Sequence, residues 1–162
     1  MSRANALRGS AYFTEKNMRA VIQRVAHAEL SVGGKPVSAI GQGLAVYLGI
    51  APQDGEPNAV AMAKKLAALR IFSDEEGKMN RSVRDVGGEV LLISQFTLYG
   101  DCSHGNRPSF IGAARPETAQ PLYHRTAELL AQQGVPVRLG VFGADMHIEQ
   151  GNDGPVTIIY EC

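Results

Sequence analysis

Two short segments carry most of the polar chemistry that this sequence places at unusual positions. Ser94-Gln95-Phe96-Thr97 closes the most apolar run of the chain, Val90-Leu91-Leu92-Ile93. A buried strand that finishes this way sets hydroxyl, amide and backbone N–H groups at its tip, where a rigid support can present them to a ligand. A strand that simply turns polar as it surfaces fits the composition equally well. Asn152-Asp153-Gly154-Pro155-Val156-Thr157 is strong turn chemistry. On its own it predicts a hairpin turn before the last strand, with an X–Pro bond open to either isomer. Cys102-Ser103-His104 suggests a thiol nucleophile or a metal ligand pair. Residues two apart on a loop rarely meet in the geometry either chemistry needs, and further ligands are missing. His27, His104, His124 and His147 are scattered. The sequence has no GxSxG, HExxH, Walker or GxGxxG pattern.

The elements that must hold these segments follow from periodicity. From Arg19, Val21, Gln23 and Val25 alternate against Ile22, Arg24 and Ala26 in a strand pattern, and Gly33-Gly34 marks a two-residue hairpin before Pro36–Ile40. Leu44–Ile50 reads as a buried strand. Asp54-Gly55-Glu56-Pro57 opens a helix whose stripe is Val60, Ala63, Leu66, Ala67 and Leu69. A short strand at Ile71-Phe72 and a polar loop from Asp74 to Asn80 precede the central strand, Glu89–Leu98. Tyr99 to Arg115 is a long loop, a class that is commonly functional. A second helix starts at Pro116, uses Leu122, Thr126, Leu129 and Leu130, and is closed by Gly134. Strands are expected at Val135–Phe142, Met146–Gln150 and Val156–Tyr160. Many strands with two helices and no regular alternation predict an α+β fold, a curled sheet or β-barrel packed with two helices.

Composition narrows the function. The chain has 162 residues, 16 Lys plus Arg and 16 Asp plus Glu, for a formal net charge of zero. That length suits one domain. Residues 1–17 lack an apolar core and read as an N-terminal extension, expected to be disordered, ahead of a single domain at 18–162. Without them the chain carries 13 bases against 15 acids. Such a balance argues against a protein that grips nucleic acid over a broad basic face, and so against DNA binding. No apolar run reaches the roughly 18 residues that span a bilayer, so no membrane association is expected. Two cysteines without paired spacing suit a reduced, cytoplasmic setting.

Taken together, the motifs resemble those of the D-aminoacyl-tRNA deacylases. Ser94-Gln95-Phe96-Thr97-Leu98 and Asn152-Asp153-Gly154-Pro155-Val156-Thr157 match the two signature motifs of that family. Met18-Arg19-Ala20-Val21-Ile22-Gln23-Arg24-Val25, Arg70-Ile71-Phe72-Ser73-Asp74, Gly77-Lys78-Met79-Asn80, Arg107-Pro108-Ser109-Phe110 and Ala144-Asp145-Met146 follow in the expected order. The resemblance implies a homodimer of barrel-like α+β subunits with active sites at the subunit interface. The reaction it implies is hydrolysis of the ester joining a D-amino acid, or glycine mischarged on tRNA-Ala, to the tRNA 3′ end. Ser94, Gln95, Phe96 and Thr97 would form the catalytic floor, with the Phe96 and Thr97 N–H groups facing the ester as oxyanion donors. Gly154 and Pro155, as a cis pair inserted from the partner subunit, would exclude L side chains. Arg24 would orient that pair, and Phe142 and Met146 would line a slot for the terminal adenine. The implied attack is by water assisted by the terminal 2′-hydroxyl, with a Thr97 nucleophile as the alternative. No metal or cofactor is implied, and phosphate contacts would be few, with Lys78, Arg81 and Arg107 as candidate cations. A non-catalytic RNA-end binding module and a small-ester hydrolase are the competing readings.

Overall fold

The structure is a computed structural model that describes residues 17–162. The expected N-terminal extension therefore lies outside the described residues except for Asn17. Its longest strands are two antiparallel neighbours, β1 (Arg19–Val32) and β8 (His147–Glu161). Along its other edge β1 pairs first with β3 (Gly43–Gly49) and then with β2 (Lys35–Ile40). Gly33 and Gly34, at φ 57° and 79°, make the tight β1–β2 turn, a backbone region open to glycine at little cost. β3 continues into parallel β6 (Glu89–Ser94), and β6 into parallel β7 (Val137–Leu139). The ends of this path meet where the Ser38 hydroxyl donates to the Leu139 carbonyl at 2.5 Å. The sheet is thus a nearly closed barrel, as the sequence pattern predicts.

Alternation sorts the strands' side chains into two cores. Val25, Ala28, Leu30, Ile40, Ala45, Leu91 and Ile93 fill the barrel interior. Ala20, Ile22, Leu44, Val46, Leu48, Val90 and Leu92 face outward and are covered by α1 (Glu56–Ala68) and α2 (Pro116–Gln132). Both helices carry proline in the first turn, where its missing N–H leaves no bond unmade. The α1 stripe is rotated from the expected one: Ala59, Met62, Ala63, Leu66 and Ala67 are buried, while Val60 is exposed. On α2, buried Tyr123 donates to the Leu92 carbonyl at 2.7 Å and accepts from the Gly140 N–H at 3.2 Å, tying the helix to the ends of β6 and β7.

Four expected elements differ. The central strand stops at Ser94 rather than Leu98, because its partner β3 runs out: Ser94 stands opposite Leu48 and the Gln95 N–H takes the last bond, to the Leu48 carbonyl at 2.8 Å. Phe96–Tyr99 then turns into one round of 3-10 helix. Its Tyr99 ring occupies the space where a side chain at Gly49 would sit, with a Cβ there only 2.7 Å from the ring. The expected Val135–Phe142 strand shrinks to Val137–Leu139, and Phe142 falls in the turn beyond it. The polar loop from Asp74 to Asn80 is the tip of a small hairpin formed by β4 (Phe72–Ser73) and β5 (Met79–Arg81).

The last difference bears on function. Instead of two strands joined by a hairpin turn, β8 runs unbroken past β1. Asn152 stands opposite Val25 and Thr157 opposite Gln23, so residues 153–156 all face the single residue Arg24. The turn chemistry is spent on a bulge that projects from a continuous strand, and bulges of this kind commonly serve to re-aim residues at functional sites.

Candidate functional site

The end of β6 opens into a cleft of about 860 Å³. Its floor is Ser94, Gln95 and Phe96 with Leu48, Ile50 and Ile93 behind them. One wall is the segment from Phe110 to Pro116 at the start of α2, and another is the turn from Phe142 to Met146. The lining is mainly apolar with a few polar groups, the usual make-up of a small-ligand site. Phe96 leans edge-on against Phe110, ring centroids 5.3 Å apart, and stays 56% exposed, a large apolar surface held at the mouth. Phe142 lies 6.1 Å from the Tyr123 ring, and Met146 packs on the barrel core, so both are anchored from behind.

The 3-10 helix fixes what this floor offers. The first N–H groups of any helix lack an intrahelical acceptor. Leu98 N–H returns to the Gln95 carbonyl and Gly100 N–H to the Thr97 carbonyl, whereas among the described residues no acceptor faces the Phe96 or Thr97 N–H. The Thr97 hydroxyl accepts a hydrogen bond from the Gln95 amide, its one partner among the described residues. The phenol behind this turn, Tyr99, donates to the Asn17 carbonyl at 2.5 Å, and burial pushes its pKa well above the ordinary tyrosine value. The floor and the turn that follows it therefore offer hydrogen-bond donors and hydroxyls, and among the described residues no base contacts the Thr97 hydroxyl.

Of the expected site residues, Thr97, Arg24, Gly154 and Pro155 do not line this cleft, Thr97 lying just beyond Phe96 on the 3-10 turn. Arg24 is four residues along β1 from Ala20, the residue level with Leu48 and hence with Ser94. There its Nε donates to the Asp153 carbonyl at 2.8 Å and approaches the Asp153 carboxylate at 3.3 Å, while Nη1 donates to the Ile71 carbonyl at 2.8 Å. The guanidinium side chain is 12% exposed, so these bonds hold the bulge in one orientation. The Gly154-Pro155 peptide is cis, and residues 152–155 are exposed.

A further set of side chains grips the bulge that motif reading passed over. Gln150 accepts from the Tyr47 hydroxyl at 2.6 Å and donates to Gln23 at 2.7 Å and to Asn152 at 2.6 Å. Gln23 in turn donates to the Thr157 hydroxyl at 3.3 Å. The two feet of the bulge, Asn152 and Thr157, are thus tied through one amide relay. Two glutamines at strand positions expected to face an apolar neighbour were the available signal. Of the cations expected near a phosphate, Lys78 pairs with Glu76 at 3.4 Å and Arg81 donates to the Asp85 carbonyl. Neither they nor Arg107 line the cleft, whereas Arg115 does. Among the described residues no group of three or more His, Cys, Asp or Glu side chains is placed to hold a metal ion.

Comparison with known proteins gives a consistent result. Residues 21–161 match the family model described as D-Tyr-tRNA(Tyr) deacylase. A D-aminoacyl-tRNA deacylase of Chlorobaculum parvum is 54% identical over 145 residues, 89% of this chain and 97% of that protein. Those of Thermus aquaticus and Deinococcus radiodurans are 55% and 57% identical, over 89% and 87% of this chain and 95% and 97% of theirs. A solved structure described as c-Myc DNA Unwinding Element Binding Protein superposes with a TM-score of 0.82 at 41% identity, covering 89% of this chain and 98% of that one. A probable eukaryotic D-amino acid tRNA deacylase shares the fold, with a TM-score of 0.77 at 19% identity over 90% of this chain and all of that one.

Proposed function

Given that this chain belongs to the D-aminoacyl-tRNA deacylase family and is a hydrolase of the aminoacyl-tRNA ester bond, we propose that it removes D-amino acids from tRNA by a substrate-assisted route. In this reading the cleft takes the 3′-terminal adenosine, with Phe142 and Met146 against the base. Water attacks the ester carbonyl carbon, and the oxyanion that develops accepts from the Phe96 and Thr97 N–H groups. The carbonyl–oxygen bond to the ribose then breaks, and the ribose oxygen takes up a proton relayed by the neighbouring 2′-hydroxyl. The products are the free D-amino acid and tRNA. The observation that carries the proposal is that the N–H groups of Phe96, on the floor of an apolar cleft, and of Thr97, next to it in the chain, meet no acceptor among the described residues. Fixed dipoles in such a site stabilise charge without reorganising.

The chirality filter is assigned to Gly154 and Pro155 acting from a second copy of the chain. Within one subunit the bulge lies away from the cleft, yet Arg24 and the glutamine relay hold it rigid and exposed. A homodimer resolves this: each bulge enters the partner's cleft and its backbone fills the space an L side chain needs. Ile159 on β8 is 68% exposed, and β8 pairs with β1 alone among the described strands, which leaves surface for such a contact. Glycine has no side chain to exclude, so glycine mischarged on tRNA-Ala is also a substrate in this scheme. A tRNA substrate supports a cytoplasmic setting; among the described residues no helix is long and apolar enough to cross a membrane. Duplex DNA binding has no support in a formal net charge of zero.

Thr97→Ala separates the two mechanisms. With the 2′-hydroxyl assisting, the variant keeps kcat within about tenfold of the parent, because it loses a hydroxyl that only supports the floor. Abolished deacylation with intact tRNA binding would instead make Thr97 the nucleophile. Free D-tyrosine ethyl ester, assayed beside D-Tyr-tRNA, separates a tRNA-end enzyme from a general esterase: the ester is expected to be a poor substrate.

A further inference from the structure

The cleft has two charged lining residues, and they stand on different walls: Arg115 where the chain runs into α2, Asp145 in the turn from Phe142 to Met146. Among the other described arginines, Arg70, Arg107 and Arg138 make no side-chain bond with a described residue but do not line the cleft, and the rest are engaged. Arg19 pairs with Glu161, Arg24 with Asp153, and Arg125 with Glu56 and Glu128, while Arg84 donates to the Gln133 carbonyl. The Arg115 guanidinium, by contrast, makes no ion pair or hydrogen bond with any described residue and is exposed. An unengaged guanidinium beside an apolar cleft contributes little to folding. Its planar fork suits a phosphate, which it can bind through two parallel hydrogen bonds.

A nucleoside end seated in this cleft must carry its 5′-phosphate outward along one of the walls. The Asp145 carboxylate disfavours the phosphate along its own wall, and Arg115 favours it along the other. The first turn of the 17-residue α2 adds positive helix-end potential beside Arg115, part of which Glu117 in the same turn offsets. We infer that Arg115 binds the backbone phosphate of the terminal nucleotide and so sets the direction in which the acceptor strand leaves the cleft, over the start of α2 and away from Asp145. This rests on the deacylase reading and adds to it a binding residue for the RNA backbone.

The test compares Arg115→Gln and Arg115→Lys with the parent on two substrates, D-Tyr-tRNA and the phosphate-free D-tyrosyl-adenosine. For Arg115→Gln, the KM ratio of variant to parent should be about fivefold larger on D-Tyr-tRNA than on D-tyrosyl-adenosine at low salt, with the loss in KM rather than kcat. The slope of log(kcat/KM) against log salt on D-Tyr-tRNA should flatten by about 0.7, one single-strand phosphate contact. Arg115→Lys should restore most of that slope. A loss of equal size on both substrates, or an unchanged salt slope, would overturn the assignment. A parent enzyme that released tyrosine from neither substrate would overturn the deacylase reading itself, and this inference with it.

Discussion

Phe96→Pro is expected to lower kcat for D-Tyr-tRNA about 100- to 1,000-fold, while Phe96→Ala lowers it far less. The range is the usual loss when one donor to a developing oxyanion is removed. Proline deletes the Phe96 N–H and leaves the rest of the floor available. The site also tolerates the ring: Phe96 opens the 3-10 helix, a position where proline's fixed φ fits, and the preceding Gln95, at φ −141° and ψ 82°, is outside the helical region that a following proline disfavours. Phe96→Ala removes the side chain and its edge contact with Phe110 but keeps the N–H. The difference between the two variants therefore isolates the backbone donor. Thermal melting of both variants checks that the Leu98-to-Gln95 and Gly100-to-Thr97 bonds still close the turn. Equal losses in the two variants would show that the aromatic ring matters and the donor does not.

Gly154→Val should shrink the ratio of D- to L-tyrosyl-tRNA hydrolysis about 10- to 100-fold, with a melting temperature close to the parent's. A Cβ at Gly154 would lie 2.4 Å from the Val156 backbone nitrogen, so the bulge itself must shift. That displacement is in backbone, which no side-chain rotation relieves. Discrimination by a close-fitting wall is worth about this much per misplaced contact. Residues 152–155 are exposed, so the fold loses little. Cys102→Ala, on the exposed loop beyond Gly100, is the control and should leave the ratio as it is. The dimer assignment makes a second, sharper demand. A doubly tagged heterodimer of Phe96→Pro and Gly154→Val subunits has one site with both an intact floor and an intact partner bulge. It should keep about half of the parent's rate on D-Tyr-tRNA with a D/L ratio close to the parent's, because its one working floor meets the intact bulge of the partner. A D/L ratio as low as that of the Gly154→Val homodimer would place Gly154 in its own subunit's cleft.

How far the sequence reached can be judged from particular residues. Gly33-Gly34, the apolar run Leu44–Ile50 and the Pro116-to-Gly134 helix were legible because each is decided locally, by turn chemistry or by a buried period. The curled α+β sheet followed from their order. The end of the central strand was not legible, because it depends on where the partner β3 stops and on Tyr99 packing over Gly49. Nor was the fate of Asn152-Asp153-Gly154-Pro155. The same residues suit a hairpin or a bulge, and the choice falls to Arg24 on a strand over a hundred positions away. Motif matching joined the Ser94–Thr97 segment and Gly154-Pro155 in one site, and the fold sets them apart within one subunit. Arg115 carried no motif at all; only the cleft distinguishes it from the other arginines.

Chirality-selective hydrolysis of the tRNA ester is read out by comparing the D- and L-tyrosyl substrates side by side. Release of tyrosine from D-Tyr-tRNA and from L-Tyr-tRNA is followed under identical conditions with the full chain. The account predicts rapid release from the D substrate and release from the L substrate slower by at least about 100-fold, as a backbone wall against the L side chain requires. Equal rates on the two substrates, or no release from either, would contradict it.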